Sequence, residues 1–351
     1  MKHLLFAAAV MTGAASAVAQ SNVALFGVLD VSMTRLSSAT SSNTGMSNGE
    51  LSSSRLGFRG VEDLGGGLKA GFWLEGSVGV DNGGANYRFD RRSTVSLSGP
   101  FGELRLGRDK QASYLNIEAF DPFGDIGVGG NGLNNMLGNA SGAEGTAEGS
   151  HPKRANNIVS YISPDFGGVH GQLQYSFGER PTNQGNSDRG KAITGRLGYK
   201  AGPLDVALGY GEISGGTETQ KETYKAINLG AAYDLGMFKP MVLLATERGA
   251  GRRVDAYTLG VLAPVAAVGE LRIAFTQFRT KHMTEADTTK LAIGYVHRLS
   301  KRTALYGMAA RVSNQDNAAR GFATSSSALA SPTISAGDSA TGYSIGIRHQ
   351  F

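Results

Sequence analysis

The chain has no cysteine, only nine prolines and a single tryptophan in 351 residues. An exported chain of this kind has no disulfides to hold it and relies on its hydrogen-bonded ladder or its core. Past residue 19 no apolar run approaches the roughly 18 residues of a membrane helix, and helical periodicity is nowhere sustained. Lys and Arg exceed Asp and Glu by 34 to 29, yet no basic run is interleaved with stacking aromatics, so no nucleic-acid partner is expected. The six histidines, at 3, 151, 170, 282, 297 and 349, include no pair at metal-ligand spacing. HExxH, EF-hand and Walker patterns are missing too, and no metal or cofactor is expected. Gly127-Val128-Gly129-Gly130-Asn131-Gly132 fits G-x-G-x-x-G, but no βαβ context surrounds it, so it reads as loop glycine.

What is present begins with a leader. Lys2 and His3 precede the apolar run Leu4–Met11, and Ala17-Val18-Ala19 forms an A-x-A site. Residues 1–19 read as a signal peptide and 20–351 as one mature domain, which carries a formal charge of +4 once Lys2 is lost from the +5 total. The closing segment TGYSIGIRHQF places Tyr343, Ile345, Ile347, His349 and Phe351 on one face and small or polar residues on the other, because a strand alternates faces. The same alternation starts at Val23, Leu25, Gly27, Leu29 and Val31 and recurs to give about sixteen strands.

The connections alternate in length. Short turns such as Gly99-Pro100, Ala201-Gly202-Pro203 and Leu235-Gly236 carry turn chemistry, while longer polar segments lie at 36–53, 81–87, 109–153, 179–189, 214–221, 281–286 and 315–339. An up-and-down barrel has this rhythm, with all short turns at one rim and all long loops at the other. A closed barrel satisfies every backbone donor without water and is one of two ways to cross lipid. The expected fold is all-β: a 16-stranded antiparallel transmembrane β-barrel.

Several segments carry a family resemblance: SNVALFGVLD at 21–30, SSRLGFRGVEDLGGGLKAGFWLE at 53–75, LSGPFGELRLGRD at 97–109, FDPFGD at 120–125, RANNIVSYISPDFGG at 154–168 and the closing GIRHQF. Together they resemble the trimeric general porins of Gram-negative outer membranes, in which a terminal Phe on an alternating strand is usual. The resemblance implies a cell-outer-membrane location, a water-filled channel and a homotrimer. It also implies a third long loop folded inward to narrow the pore. The implied partners are small hydrophilic solutes, inorganic ions, outer-membrane lipid and lipopolysaccharide. Gly27 and Gly346, taken as outward and small, would permit barrels to pack closely.

The resemblance also places the transport site. Arg55 matches the family's constriction arginine on the second strand, and Arg154 matches the third wall arginine. On the fourth strand the family register favours Arg91, whereas alternation from Val95 and Leu97 favours Arg92; both stay open. The inward loop 109–153 would bring Glu118, Asp121 and Asp125 to mid-channel, facing those arginines across a narrow waist. By alternation Arg35, Arg196, Arg272 and Arg298 are further candidates to line the lumen, against the alternative that each is an ordinary solvated residue. The surplus of cations points to a weak anion preference. The alternative is an outer-membrane barrel enzyme or adhesin working through long loops, for instance near His151 or His282, but no Ser/His or Asp/His constellation marks one.

Overall fold

The computed structural model describes residues 22–84, 88–139, 152–281, 283–322 and 329–351. The expected signal segment lies outside them, as do His151 and His282. The first strands are β1 (Asn22–Ser37), β2 (Ser42–Asn48), β3 (Arg55–Gly65), β4 (Leu68–Ser77), β5 (Arg92–Gly99) and β6 (Gly102–Lys110). A loop with two short helices, α1 (Tyr114–Ala119) and α2 (Met136–Asn139), leads to β7 (Arg154–Ile162) and β8 (Val169–Ser176). Next come β9 (Ala192–Ala201), β10 (Leu204–Gly216), β11 (Lys221–Tyr233), β12 (Lys239–Gly249) and β13 (Arg252–Val265). Last are β14 (Gly269–Lys281), β15 (Thr288–Arg298), β16 (Thr303–Asn314) and β17 (Ala340–Gln350).

All pairings are antiparallel, and β17 returns to pair with β1 from Val28↔Gln350 to Ser37↔Thr341, which closes the sheet into a barrel. On its other edge β1 pairs first with β3 (Asn22↔Val61 to Val28↔Arg55) and then with β2 (Val31↔Asn48 to Ser37↔Ser42). So β2 and β3 are two halves of one wall strand, and seventeen segments make a sixteen-stranded barrel. The Ser/Asn/Thr/Gly composition of β2 shows no apolar alternation, so the sequence reads it as loop.

Residues 49–54, between the halves, leave the wall and are fixed in place. Leu51 and Ser52 donate their N–H groups to one oxygen of the Asp30 carboxylate at 3.1 and 2.7 Å, and Tyr306 donates its hydroxyl to the other at 2.5 Å. On the loop rim one connection is short. Ala250-Gly251 is a two-residue hairpin with φ of 49° and 71°, the left-handed pair that suits strand twist.

The faces separate as in a lipid-embedded barrel. Val23, Leu25, Val95, Leu106, Leu173, Leu197, Leu244, Leu291 and Ile345 are exposed on the outside, where lipid rather than water is the favourable neighbour. Near the short-turn rim Phe101, Tyr161, Phe166, Tyr199, Tyr233 and Phe238 are also exposed, giving the aromatic girdle that sits at a membrane interface. Two residues fall opposite to expectation. Register pairs Gly346 with lumenal Ser32, and a Cβ there would collide with the Tyr306 hydroxyl, so Gly346 faces inward. Arg35 pairs with exposed Tyr343 and bonds Thr44 at 3.1 Å, so it lies outside. Gly27 is covered by the Phe351 ring, and Gly27 and Phe351 exchange two backbone hydrogen bonds of 3.1 Å.

Candidate functional site

The third long loop folds into the barrel and lies against β10 to β16. Its seat is a row of small lumenal residues. A Cβ on Gly230 would collide with the Phe120 ring and one on Gly260 with Pro122, while one on Gly294 would fall 2.9 Å from Phe123. Only glycine leaves room for these three rings against the wall. Polar ties complete the seat: Asn116 donates to the Ala207 carbonyl at 3.0 Å and to the Asn228 side-chain oxygen at 2.9 Å. Arg196 donates to Asn116 at 2.6 Å, and Arg272 to the Pro122 carbonyl at 2.9 Å. The loop tip is held by Val128 N–H to Glu50 at 2.8 Å and by the Lys290 ammonium on the Gly130 carbonyl.

With that half of the lumen filled, the open half lies against β1 and β3 to β9. A chamber of about 480 Å³ runs there, lined by Arg55, Arg59, Arg91, Arg92, Arg105, Lys110 and Arg154 together with Glu75 and Asp109. Seven cationic side chains thus share the chamber with two carboxylates. Glu75, on β4, is the hub: Arg91 donates Nε to it at 2.7 Å, Arg55 approaches at 3.8 Å, and the Trp73 indole N–H donates at 3.2 Å. Asp109 takes Arg105 at 2.8 Å and Arg92 at 3.6 Å. Arg154 donates Nε to the Arg91 carbonyl at 2.7 Å, which ties the two residues together along the wall without neutralising either. Trp73 stands between Arg59 and Arg92, whose guanidinium carbons lie 5.1 and 4.6 Å from its ring centre. The ring gives both cations a favourable neighbour that carries no charge.

The four expected wall arginines therefore meet in one chamber. Arg92 enters by alternation, opposite Glu75 in the ladder. Arg91 enters as well because it precedes the strand, its N–H reaching the Glu75 carbonyl at 3.1 Å. Both residues therefore line the chamber. Among the loop acids, Glu118 reaches the open side and pairs with Lys110 at 2.5 Å.

Asp121 and Asp125, expected at mid-channel, are turned into the loop itself, at 4% and 0% exposure. Asp121 accepts N–H bonds from Phe123, Asp125 and Asn131 at 3.0, 2.9 and 2.8 Å. Asp125 pairs with Lys153 at 2.9 Å and accepts the Gly132 N–H at 3.1 Å. They shape the loop and do not meet the wall arginines across the water. Burial outweighs the three N–H donors on Asp121 and pushes its carboxyl up to about 6.

Sequence reasoning missed Arg59, Arg105, Lys110, Trp73, Glu75 and Asp109. Alternation from Arg55 through Gly57 to Arg59, and the Glu103/Arg105 pair on one face of β6, carried that signal. Arg196, Arg272 and Arg298 share ladder positions with lumenal residues, as expected.

A closed sixteen-stranded barrel with an apolar outer band, an inward loop and a lumenal chamber lined by charged side chains defines an outer-membrane channel rather than an enzyme. Comparison with known proteins agrees: a family model described as Gram-negative porin matches residues 6–317. The chain belongs to the Gram-negative porin family. It is 39% identical to outer membrane porin protein 32 of Delftia acidovorans, over the full length of both chains. Against an outer membrane porin protein of Bordetella pertussis the identity is 27%, covering 90% of this chain and 95% of the other. Among solved structures, the anion-selective porin from Comamonas acidovorans superposes with a TM-score of 0.86 at 38% identity, covering 95% of this chain and all of that one.

Proposed function

We propose that this outer-membrane porin conducts small hydrophilic solutes by passive diffusion and prefers anions, with its waist formed between the arginine wall and the inward loop. The observation that carries this reading is the chamber charge: seven cations against two carboxylates, with two of the loop's acids withdrawn into its interior. Charged linings and constriction size are how pores discriminate ions. A cationic waist with low-dielectric walls concentrates anions and repels cations along the shared path. The structural relative at 38% identity is itself named as anion-selective, which supports the same sign here. Arg55, Arg91, Arg92 and Arg154 act as the attractive wall, Glu75 and Asp109 keep the arginines spaced, and Glu118 supplies the facing negative charge.

Three copies side by side are the proposed assembly. An apolar outer groove of about 560 Å³ across β1 and β14 to β17, floored by Gly307 and Ala309 and flanked by Met33, Ile293, Tyr343 and Ile345, supports close barrel contact. Gly27, whose outward side is covered by the Phe351 ring, and Gly346, which faces inward, do not serve that contact.

Planar-bilayer recording of the refolded protein, paired with liposome swelling in small sugars and organic acids, tests the channel. Stepwise conductance, in groups of three for the trimer, and faster swelling in anionic solutes are expected. Folded protein that inserts without conducting would overturn the reading.

A further inference from the structure

The chain's single tryptophan stands in the lumen. Trp73 lies opposite Arg59 on one side of the ladder and Thr94 on the other, and Phe26 meets it edge-on with ring centres 4.9 Å apart. The Arg59 guanidinium rests over both rings, 5.3 Å from the centre of Phe26 and 5.1 Å from that of Trp73. Its neighbours in the chamber are committed. Arg55 and Arg91 share Glu75, Arg92 and Arg105 share Asp109, and Lys110 holds Glu118. Arg154 bonds a backbone carbonyl. Arg59 is exposed, and among the described residues the two rings are the only partners of its guanidinium. They hold it by one face and leave its N–H fork free for a carboxylate.

Below Arg59, toward the short-turn rim, the lumen wall turns apolar. Arg55, Gly57, Arg59 and Val61 share the inward face of β3 by alternation, and Val61 is 55% exposed there. Register sets exposed Ala24 beside Arg59 and Gly71 beside Val61. Ala24, Val61 and Gly71 line one side of a second lumenal cavity of about 470 Å³, with Ser96 and Ser98 on the other and Arg59 and Trp73 above. Apolar surface in a wet lumen gains when a solute covers it. On β6, Arg105 is already paired with Glu103 at 2.9 Å and with Asp109 at 2.8 Å. No free cation there awaits a second carboxylate.

We propose that this cavity binds monocarboxylates with a compact apolar body, of the arylacetate kind, below the waist. The carboxylate docks on the Arg59 fork, the ring lies on Ala24, Val61 and Gly71, and its edge turns to Trp73. The proposal rests on the reading of the barrel as an anion-preferring channel and names a class of solute for it. An inorganic anion would use the arginine alone and leave the apolar floor bare, and a dicarboxylate would bring its second charge toward Glu103. A free cation and an apolar floor in one cavity together select the amphiphilic monoanion.

The test uses the full refolded barrel in neutral detergent, with phenylacetate as the probe and Trp73 as the reporter. Trp73 is excited at the red edge of its absorption, where phenylacetate is transparent, so its emission reads occupancy without any current. A saturable change in emission is expected, and acetate should compete at least about ten-fold more weakly than phenylacetate binds. Phenylethanol, which keeps the ring and lacks the charge, should also compete at least about ten-fold more weakly. The R59Q barrel is expected to lose at least about five-fold in affinity for phenylacetate, and V61N at least about three-fold. Equal competition by acetate would overturn the proposal, because it would assign the affinity to charge alone. Equal competition by phenylethanol would assign it to the apolar floor alone and overturn it as well. Undiminished binding by folded R59Q would contradict it too, and the wild-type competition stands if that variant fails to fold. Emission unchanged by phenylacetate would refute the site. That readout needs no conduction, so its failure is distinct from a failure of the anion-channel reading, which reversal potentials test.

Discussion

At the scale of single residues the waist is a problem of crowded cations, and Glu75 is the residue that makes the crowd tolerable. It holds Arg91 directly, draws Arg55 to 3.8 Å and receives the Trp73 N–H. Glu75→Gln removes one negative charge from a wet waist. A unit charge about 8 Å from a passing ion in water-like surroundings changes its energy by about 0.5 kcal/mol, with opposite sign for anion and cation, so the anion-to-cation permeability ratio should rise roughly five-fold. Arg154→Gln should lower it by a similar factor. Reversal potentials of the two variants check both signs, and a shift in the same direction for both would contradict the assignment.

Asp121 gives a pH prediction of its own. Burial raises its carboxyl from 3.8 to about 6. Between those values the folded state holds a proton that the unfolded chain lacks, so this group stabilises the barrel as pH falls from about 6 to 3.8. The contribution is lost again as pH rises through 6. Its ceiling is about 3 kcal/mol. Unfolding midpoints followed from pH 7 to 4 should rise less steeply in Asp121→Asn than in wild type; identical slopes would show that another group carries the effect.

Residue identity was also where the sequence was easiest to misread. DPFGD looks like an acidic loop aimed at the channel, but an Asp before Pro and Gly is also turn chemistry, a carboxylate that bonds the backbone N–H groups following it. Asp121 does this with Phe123 and Asp125. Solvation decides between the two roles, and solvation depends on how the loop packs, which alternation along a strand does not encode.

At the scale of elements, the inward loop is held by the wall as much as by itself. Phe120, Pro122 and Phe123 sit on Gly230, Gly260 and Gly294, on strands distant from the loop in sequence. Gly260→Val is the sharpest probe, because the neighbouring proline ring has no rotamer to escape into. Overpacking of this kind costs about 1–3 kcal/mol. The expected outcome is a loop displaced from its seat, seen as altered conductance and frequent substates in single-channel records, with the barrel still folded. Steady wild-type conductance would mean that the seat does not set the bore.

Strand periodicity and turn chemistry made the sixteen wall strands legible, since each strand satisfies a local pattern. The break between β2 and β3 was not legible. SNTGMSN carries no apolar alternation, and its place in the ladder depends on β1 across the hairpin. The glycine seat was equally hidden, because glycine in a strand signals a close approach without naming the partner.

At the scale of the whole molecule, the barrel is divided lengthwise. One half of its circumference, β10 to β16, supports the loop; the other half, β1 with β3 to β9, carries the cations that face the water left between them. This division explains how a modest total charge of +5 goes with a strongly cationic chamber: Asp121 and Asp125 are turned into the loop, and Glu118 is the one of the three expected loop acids that reaches the open side. The direct test is the zero-current potential of the wild-type channel in a planar bilayer separating concentrated from dilute potassium chloride. Chloride should cross faster and leave the dilute side negative, whereas a dilute side that is positive or at zero would contradict an anion-preferring waist.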